Sequence, residues 1–192
     1  MVKRLAVFAS GNGTNFTALW QAIQDRQLPA TIALLVCDHA DAPVIQRAQA
    51  ARVPVFCLDF KAYATKAEAE TVILAQLRAA QVTAILLAGY MRLIGPTLLA
   101  AYPQRIINLH PALLPHFPGR HSIEDALAAK VTTTGVTIHF VDAGIDTGQI
   151  IGQRAVPILP TDTYATLAPR IHAVEHQFYP DTLQQLLAQQ RI

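Results

Sequence analysis

The stretch RIINLHPALLPHFPG, Arg105 to Gly119, brings a strand-like run up against residues that can do chemistry. Asn108 and His110 stand two apart at the end of the run, and side chains at i and i+2 of a strand project from one face. An amide NH2 and an imidazole aimed at one point can polarise a carbonyl and stabilise the oxyanion formed when a nucleophile adds to it. A polar strand end, with both side chains satisfied by nearby backbone, accounts for the pattern equally well. Pro111, Pro115 and Pro118 follow, and a fixed φ lowers the entropy cost of holding such a constellation.

Downstream, VDAGIDTGQII places Asp142 and Asp146 around a glycine-containing loop. A carboxylate beside His110 would raise the imidazole pKa and hold it as imidazolium, and could accept a proton from an attacking amine. Either aspartate also suits an ordinary turn.

Near the start, SGNGTN, Ser10 to Asn15, follows an apolar run and opens a helical pattern. Gly11 and Gly13 permit tight backbone geometry, free helix amides favour an anion, and Thr14 and Asn15 add donors. A plain turn with Thr14 or Asn15 as helix cap is the competing account. A dinucleotide fingerprint requires a third glycine where Phe16 stands, although Asp38 could still imitate a ribose-binding acid. Without a Walker lysine, a phosphomonoester fits better than a triphosphate.

HAVEH, His172 to His176, matches one zinc-protease pattern. A further ligand is wanting in the remaining sequence, so two histidines and a glutamate on an amphipathic helix is the preferred account. No metal is expected.

These residues need a scaffold that gathers them. Strand-like runs (RLAVFAS, TIALLVCD, VPVFCLD, VTAILLAG, RIINLH) alternate with helix-length segments at about 15–26, 43–51, 66–80 and from 96. Continuously apolar runs suit parallel strands covered on both faces. The alternation predicts an α/β, doubly wound, mostly parallel sheet with helices on both faces. In such sheets ligands bind beyond the carboxyl ends of the strands, where each of the motifs above falls.

After Gly119 a helix (SIEDALAAK) precedes TTTGVTIHFVD and QIIGQRAVPI, which predict a late antiparallel hairpin with one face nearer solvent. A terminal helix from about 162 to 190 is expected to be kinked or interrupted at Pro169 and Pro180.

Composition bounds the function. The 192 residues suit one domain, 1–192, and a 52% apolar, 15% charged make-up supports a large core. Net charge is +2, pI about 8.7, and no basic block exceeds Lys3-Arg4, which argues against nucleic acid. Cys37 and Cys57 read as two buried thiols, neither a disulfide framework nor a metal site. The apolar runs fall short of a membrane span, and the N-terminus lacks a signal-peptide pattern. A cytoplasmic protein is expected; monomer and homodimer are equally compatible with the sequence.

Taken together, SGNGTN, AGYMRLI, NLHPALLPHFPG and HFVDAGIDTGQII resemble the folate-dependent formyltransferases, over nearly the whole chain. The phosphate loop and the short length point within them to the purine-pathway branch acting on glycinamide ribonucleotide. The resemblance implies a Rossmann-like formyltransferase fold, with residues 1–100 as the phosphate-binding half and 101–192 as the catalytic and folate-binding half. It implies 10-formyltetrahydrofolate as co-substrate and transfer of its formyl group to the glycinamide amine.

Residue by residue, it implies Asn108, His110 and Asp146 as the catalytic trio. Gly13, Thr14 and Asn15 would take the substrate phosphate, and Glu175 the glycinamide end. Folate contacts are implied for Lys66, Met91, Arg92, Leu93, Ile94, Asn108, Val141, Asp142 and Asp146, with a cis proline at Leu114-Pro115. A transfer-RNA formyltransferase would share the trio but carry a basic C-terminal domain. A formyl-folate hydrolase would use the trio to activate water. A non-catalytic nucleotide-binding module would leave the trio without a role.

Overall fold

The computed structural model describes residues 2–192. The apolar runs form five parallel strands: β1 (Lys3–Phe8), β2 (Ala30–Cys37), β3 (Val55–Cys57), β4 (Ala84–Leu87) and β5 (Ile106–His110). Then β6 (Thr133–Phe140) pairs antiparallel with β5, and β7 (Ile150–Pro157) antiparallel with β6. The seven strands lie in the order β3-β2-β1-β4-β5-β6-β7.

Helices α1 (Thr14–Asp25), α2 (Val44–Ala50), α3 (Lys66–Ala79), α4 (Pro96–Ala101), α5 (Ser122–Ala128) and α6 (Tyr164–Ala188) cover the sheet. Along β1, Leu5 and Val7 pack with Phe16 and Leu19 of α1 and Ile171 of α6. Ala6 and Phe8 point the other way, toward Ile73 of α3 and Leu98 of α4. Both faces are therefore dry, which is why the strands lack a polar alternation. Each fully buried large apolar side chain stabilises the fold by roughly 1.5–3 kcal/mol.

The chain leaves β1 outward through β2 and β3, then returns to β4 on the other side of β1. This reversal opens a crevice at the carboxyl ends of the strands. Beneath it the fully buried Tyr179 of α6 donates its hydroxyl to Leu87 O (3.2 Å) and Ile107 O (3.1 Å), tying α6 to the ends of β4 and β5.

The structure corrects three expectations. Cys37 is buried but Cys57 is exposed, because β3 is an edge strand. β6 is buried from Thr134 to Phe140 rather than open on one face; exposed positions fall on the outer strand, β7. Leu113 packs close to Gly135, and α6 packs against both β6 and β7. Finally, α6 is not interrupted at Pro169 or Pro180 but continues through both as one helix. Its buried face, including Ile171, Phe178 and Leu183, offsets the hydrogen bonds the prolines cannot make. No helix among the described residues is long and apolar enough to cross a membrane.

Candidate active site

β5 ends as its alternation requires, with Asn108 half-buried and His110 3% exposed. Antiparallel pairing sets Asn108 opposite His139, so the chain leaving β6 emerges beside the end of β5. This register brings the Val141–Asp146 segment over the trio, which sequence spacing alone left open. Asp146 Oδ2 lies 3.4 Å from His110 Nδ1 and accepts from Gly119 N at 2.8 Å. Its Oδ1 is 3.4 Å from Asn108 Nδ2 and 3.6 Å from His139 Nε2. Asp142 is turned away into its own loop, accepting from Gly144 N (3.0 Å) and Thr147 Oγ1 (2.7 Å).

Two site residues take an unusual backbone conformation. Asp146 and Phe117 both have φ of 54°, the left-handed region that non-glycine residues seldom adopt. Phe117 puts its carbonyl 2.8 Å from His110 Nε2. A carbonyl only accepts, so Nε2 carries a proton and Nδ1 faces the carboxylate.

Burial lowers the His110 pKa below its ordinary 6.5, and the opposing pull of Asp146 and the Phe117 carbonyl does not restore it. The expectation that a neighbouring carboxylate would raise the imidazole pKa is therefore not met on balance, because burial outweighs it. Burial alone would raise the Asp146 pKa, but hydrogen bonds from His139 and the Gly119 amide, with the field of His110, outweigh it. Asp146 is held below its ordinary value and is ionised.

Sequence reasoning missed His139. It is 2% exposed, and its Nδ1 donates to Phe140 O at 2.8 Å. Its Nε2 lies between two neighbours, 3.2 Å from Asn108 Nδ2 and 3.6 Å from Asp146 Oδ1. His139 thus limits how the Asn108 amide can turn, with one N–H left on the longer, yielding contact to Asp146. Its place two residues after Thr137, on the polar side of an alternating strand, was the available signal. His139→Phe should lower kcat by roughly ten- to a hundredfold, the cost of leaving one buried partner unpaired. Steady-state kinetics check this, and an unchanged kcat refutes the role.

The proline loop is held by more than prolines. Fully buried Thr137 donates to Ala112 O (2.6 Å) and accepts from Leu114 N (3.0 Å), while Gln153 Nε2 donates to Leu114 O (2.8 Å). The Leu114-Pro115 peptide is cis, as the resemblance implied.

A cavity of about 520 Å³ opens beside the trio. Lys66, Met91, Arg92, Leu93, Ile94, Asn108, Val141, Asp142 and Asp146 all line it, together with His110, Arg120 and His139. Met91, Leu93 and Ile145 are exposed apolar groups there. Lys66 opens α3, where Thr65 caps the helix by accepting from Glu68 N at 3.2 Å. Arg92 lies 4.1 Å above the Phe60 ring, and its Nε donates to Asp38 Oδ2 at 2.6 Å. Burial works against Asp38 ionisation, but Ser10, His39 and Arg92 lower its pKa overall. Asp38 therefore anchors the Met91–Ile94 loop and does not stand free as a ribose-binding acid. Arg120 Nη2 donates to Met91 O at 2.6 Å across the cavity.

The first loop lies over the start of α1. Gly13 takes φ 73°, and Thr14 is the first helical residue. Asn15 Nδ2 donates to Glu175 Oε2 at 2.9 Å, and His172 Nδ1 lies 3.0 Å from the same oxygen. Glu175, 4% exposed on α6, thus meets the loop from 160 residues away. The Asn15 amide is not wholly free for a phosphate, and Glu175 of the HAVEH motif faces Asn15 and His172. Hydrogen bonding to Glu175 raises the His172 pKa despite burial. Asn15→Ala should raise KM for a substrate held at this loop more than for one held in the larger cavity, by roughly tenfold or more, since a buried carboxylate loses a donor. Equal changes in both would contradict it.

A Rossmann-like sheet with an Asn, His and Asp set at its carboxyl edge defines the class: the chain belongs to the formyl transferase family, whose model matches residues 3–183. Among curated relatives, phosphoribosylglycinamide formyltransferase of Bacillus subtilis (strain 168) is 50% identical over 186 residues, covering 97% of this chain and 95% of that one. Glycinamide ribonucleotide transformylase 1 from Geobacillus kaustophilus superposes with a TM-score of 0.95 at 54% identity, covering 97% and 100%. Phosphoribosylglycinamide formyltransferase from Bacillus halodurans gives 0.94 at 52% identity, covering 96% and 95%.

Proposed function

We propose that this enzyme transfers a formyl group from 10-formyltetrahydrofolate to the amine of glycinamide ribonucleotide, a step of purine biosynthesis in the cytoplasm. The observation that carries the reading is the convergence of Asn108, His110 and Asp146 on the wall of the 520 Å³ cavity, in a chain 50% identical to a phosphoribosylglycinamide formyltransferase. The cavity suits a folate: its walls mix apolar groups (Leu93, Ile94, Val141) with the polar trio, and Lys66 offers a cation to an acidic tail.

The donor supplies an activated formyl carbon, and the acceptor amine adds to it. Asn108 turns its freer N–H from Asp146 to the formyl oxygen as that atom becomes negative, and the oxyanion hole so formed favours the transition state. His110 takes up a proton from solvent as the substrates bind, because the anion developing beside it favours the imidazolium, and it returns that proton when the oxygen becomes a carbonyl again. Asp146 takes the proton leaving the amine, directly or through a water, and passes it to the departing folate nitrogen. Glu175, presented by Asn15 and His172, holds the glycinamide end. Holding amine and formyl carbon in contact removes much of the entropic barrier.

Incubating the chain with both substrates tests this. Formylglycinamide ribonucleotide and tetrahydrofolate should appear in equal amounts. Tetrahydrofolate without the formylated nucleotide would identify a hydrolase, and no reaction from folded protein would end the enzyme reading.

A further inference from the structure

Cys37 and Cys57 have no part in the chemistry above, yet the fold sets them side by side. They end β2 and β3, and the parallel register pairs them directly. Cα atoms paired across neighbouring strands lie about 4.8 Å apart, inside the span of about 4.4–6.8 Å that a disulfide bridges. Paired residues project from one face, here the face on which Cys37 packs with Val7 and Leu35. Both thiols are free, Cys37 buried and Cys57 exposed, and each alters the other's ionisation. We propose that the two close reversibly to a disulfide when a small-molecule disulfide oxidises them, and that the bridge weakens donor binding through Asp38. The effect on the donor rests on the reading of the large cavity as the folate site; bridge formation is independent of it.

Exposed Cys57 meets the oxidant first. Its thiolate attacks one sulfur of the oxidant, a mixed disulfide forms, and one thiol leaves. Cys37, deprotonated in turn, attacks the Cys57 sulfur and expels the second thiol. The chain loses two protons and two electrons, and the oxidant is reduced to two thiols. β3 has three residues and lies at the sheet edge, so it can yield the small adjustment a bridge demands. Burial raises both thiol pKa values above their ordinary 9.0, and the charge of Asp38 adds to the rise. Thiolate is therefore scarce at neutral pH, and closure quickens in alkaline buffer. The link to the donor runs through the next residue. Cys37 Sγ donates to His39 O at 3.3 Å, closing the turn in which Asp38 sits. A disulfide sulfur has no proton to give, so that turn loses its bond. Asp38 in turn holds Arg92 at 2.6 Å, and Arg92 lines the large cavity.

The test treats the full chain with glutathione disulfide in mildly alkaline buffer. Intact mass, alkylation of the unfolded chain by iodoacetamide, and donor KM are then measured. The mass should fall by two hydrogens, both cysteines should resist alkylation, and dithiothreitol should restore both. KM for 10-formyltetrahydrofolate should rise about tenfold, the worth of a hydrogen bond to a charged group, and return on reduction. Cys57→Ser should keep one donor KM before and after treatment. A lasting glutathione adduct on Cys57, or two cysteines still open to alkylation, overturns the bridge. A bridged chain with an unchanged donor KM overturns the link through Asp38. A reduced parent that transfers no formyl group overturns the reading of the function, and the donor effect with it, while the mass still decides the bridge.

Discussion

Asp146→Asn should fold normally and lose roughly a hundred- to ten-thousandfold in kcat, the range for removing a positioned acid-base group. The substitution keeps the side-chain shape but removes the charge, and an amide cannot accept both from Gly119 N and carry off the amine's proton. Its electrostatic signature has a definite sign. Burial already lowers the His110 pKa, and Asp146 is the largest influence opposing that shift. Without the carboxylate, the His110 titration should move further to acid, so the imidazolium becomes harder to form at neutral pH. NMR of the histidine ring reads this directly, and a titration unmoved from the parent's would refute the coupling. Stability has a sign as well. The Asp146 pKa is lowered in the folded chain, so its carboxylate stabilises the fold above 3.8, and the contribution fades as pH falls through the lowered value. The variant should lack that portion of the acid-side decline. Full turnover in Asp146→Asn would remove the residue from the mechanism.

Gly13→Ala should produce the larger structural effect. Gly13 has φ 73°, and a Cβ there would lie 2.6 Å from Val44 Cβ and 2.9 Å from Val44 Cα. A left-handed alanine costs of order 1–3 kcal/mol, and forcing an atom into packed surroundings about as much again. Val44 is itself wholly buried at the start of α2 and donates its amide to Gly11 O at 3.1 Å, so it cannot retreat cheaply. Against a typical total stability of about 5–15 kcal/mol, Tm should fall on the order of 10 °C. Acceptor KM should rise as well, because the loop that moves is the one proposed to face the phosphate. A Tm within a degree or two of the parent would contradict the close approach of loop and α2.

Much of this was legible because it is local. Doubly covered strands demand continuous apolar runs, so β1, β2, β4 and β5 could be read from composition along the chain. Period-two alternation placed Asn108 and His110 on one side. The Cys57 expectation failed because an apolar run does not reveal whether its strand lies at an edge. The open hairpin face failed because alternation in β6 does not say that Leu113 and α6 will cover it. His139 went unread because its use depends on a partner across the sheet.

By itself the sequence determined the sheet-building runs, the glycine-bearing first loop, the Asn-x-His strand end, and, through its motifs, the family. These are matters of side-chain size, period and backbone freedom, which act over a few residues. Only the tertiary structure decided which groups meet. The β5/β6 register carries Asp146 to His110 and aligns His139 behind Asn108. The return of α6 across the sheet sets Glu175 against Asn15. Burial in that assembled site, set against the field of Asp146, decides that the His110 pKa falls below its ordinary value. Contacts between distant segments, and the dielectric they create, come into being only when the chain has folded around them.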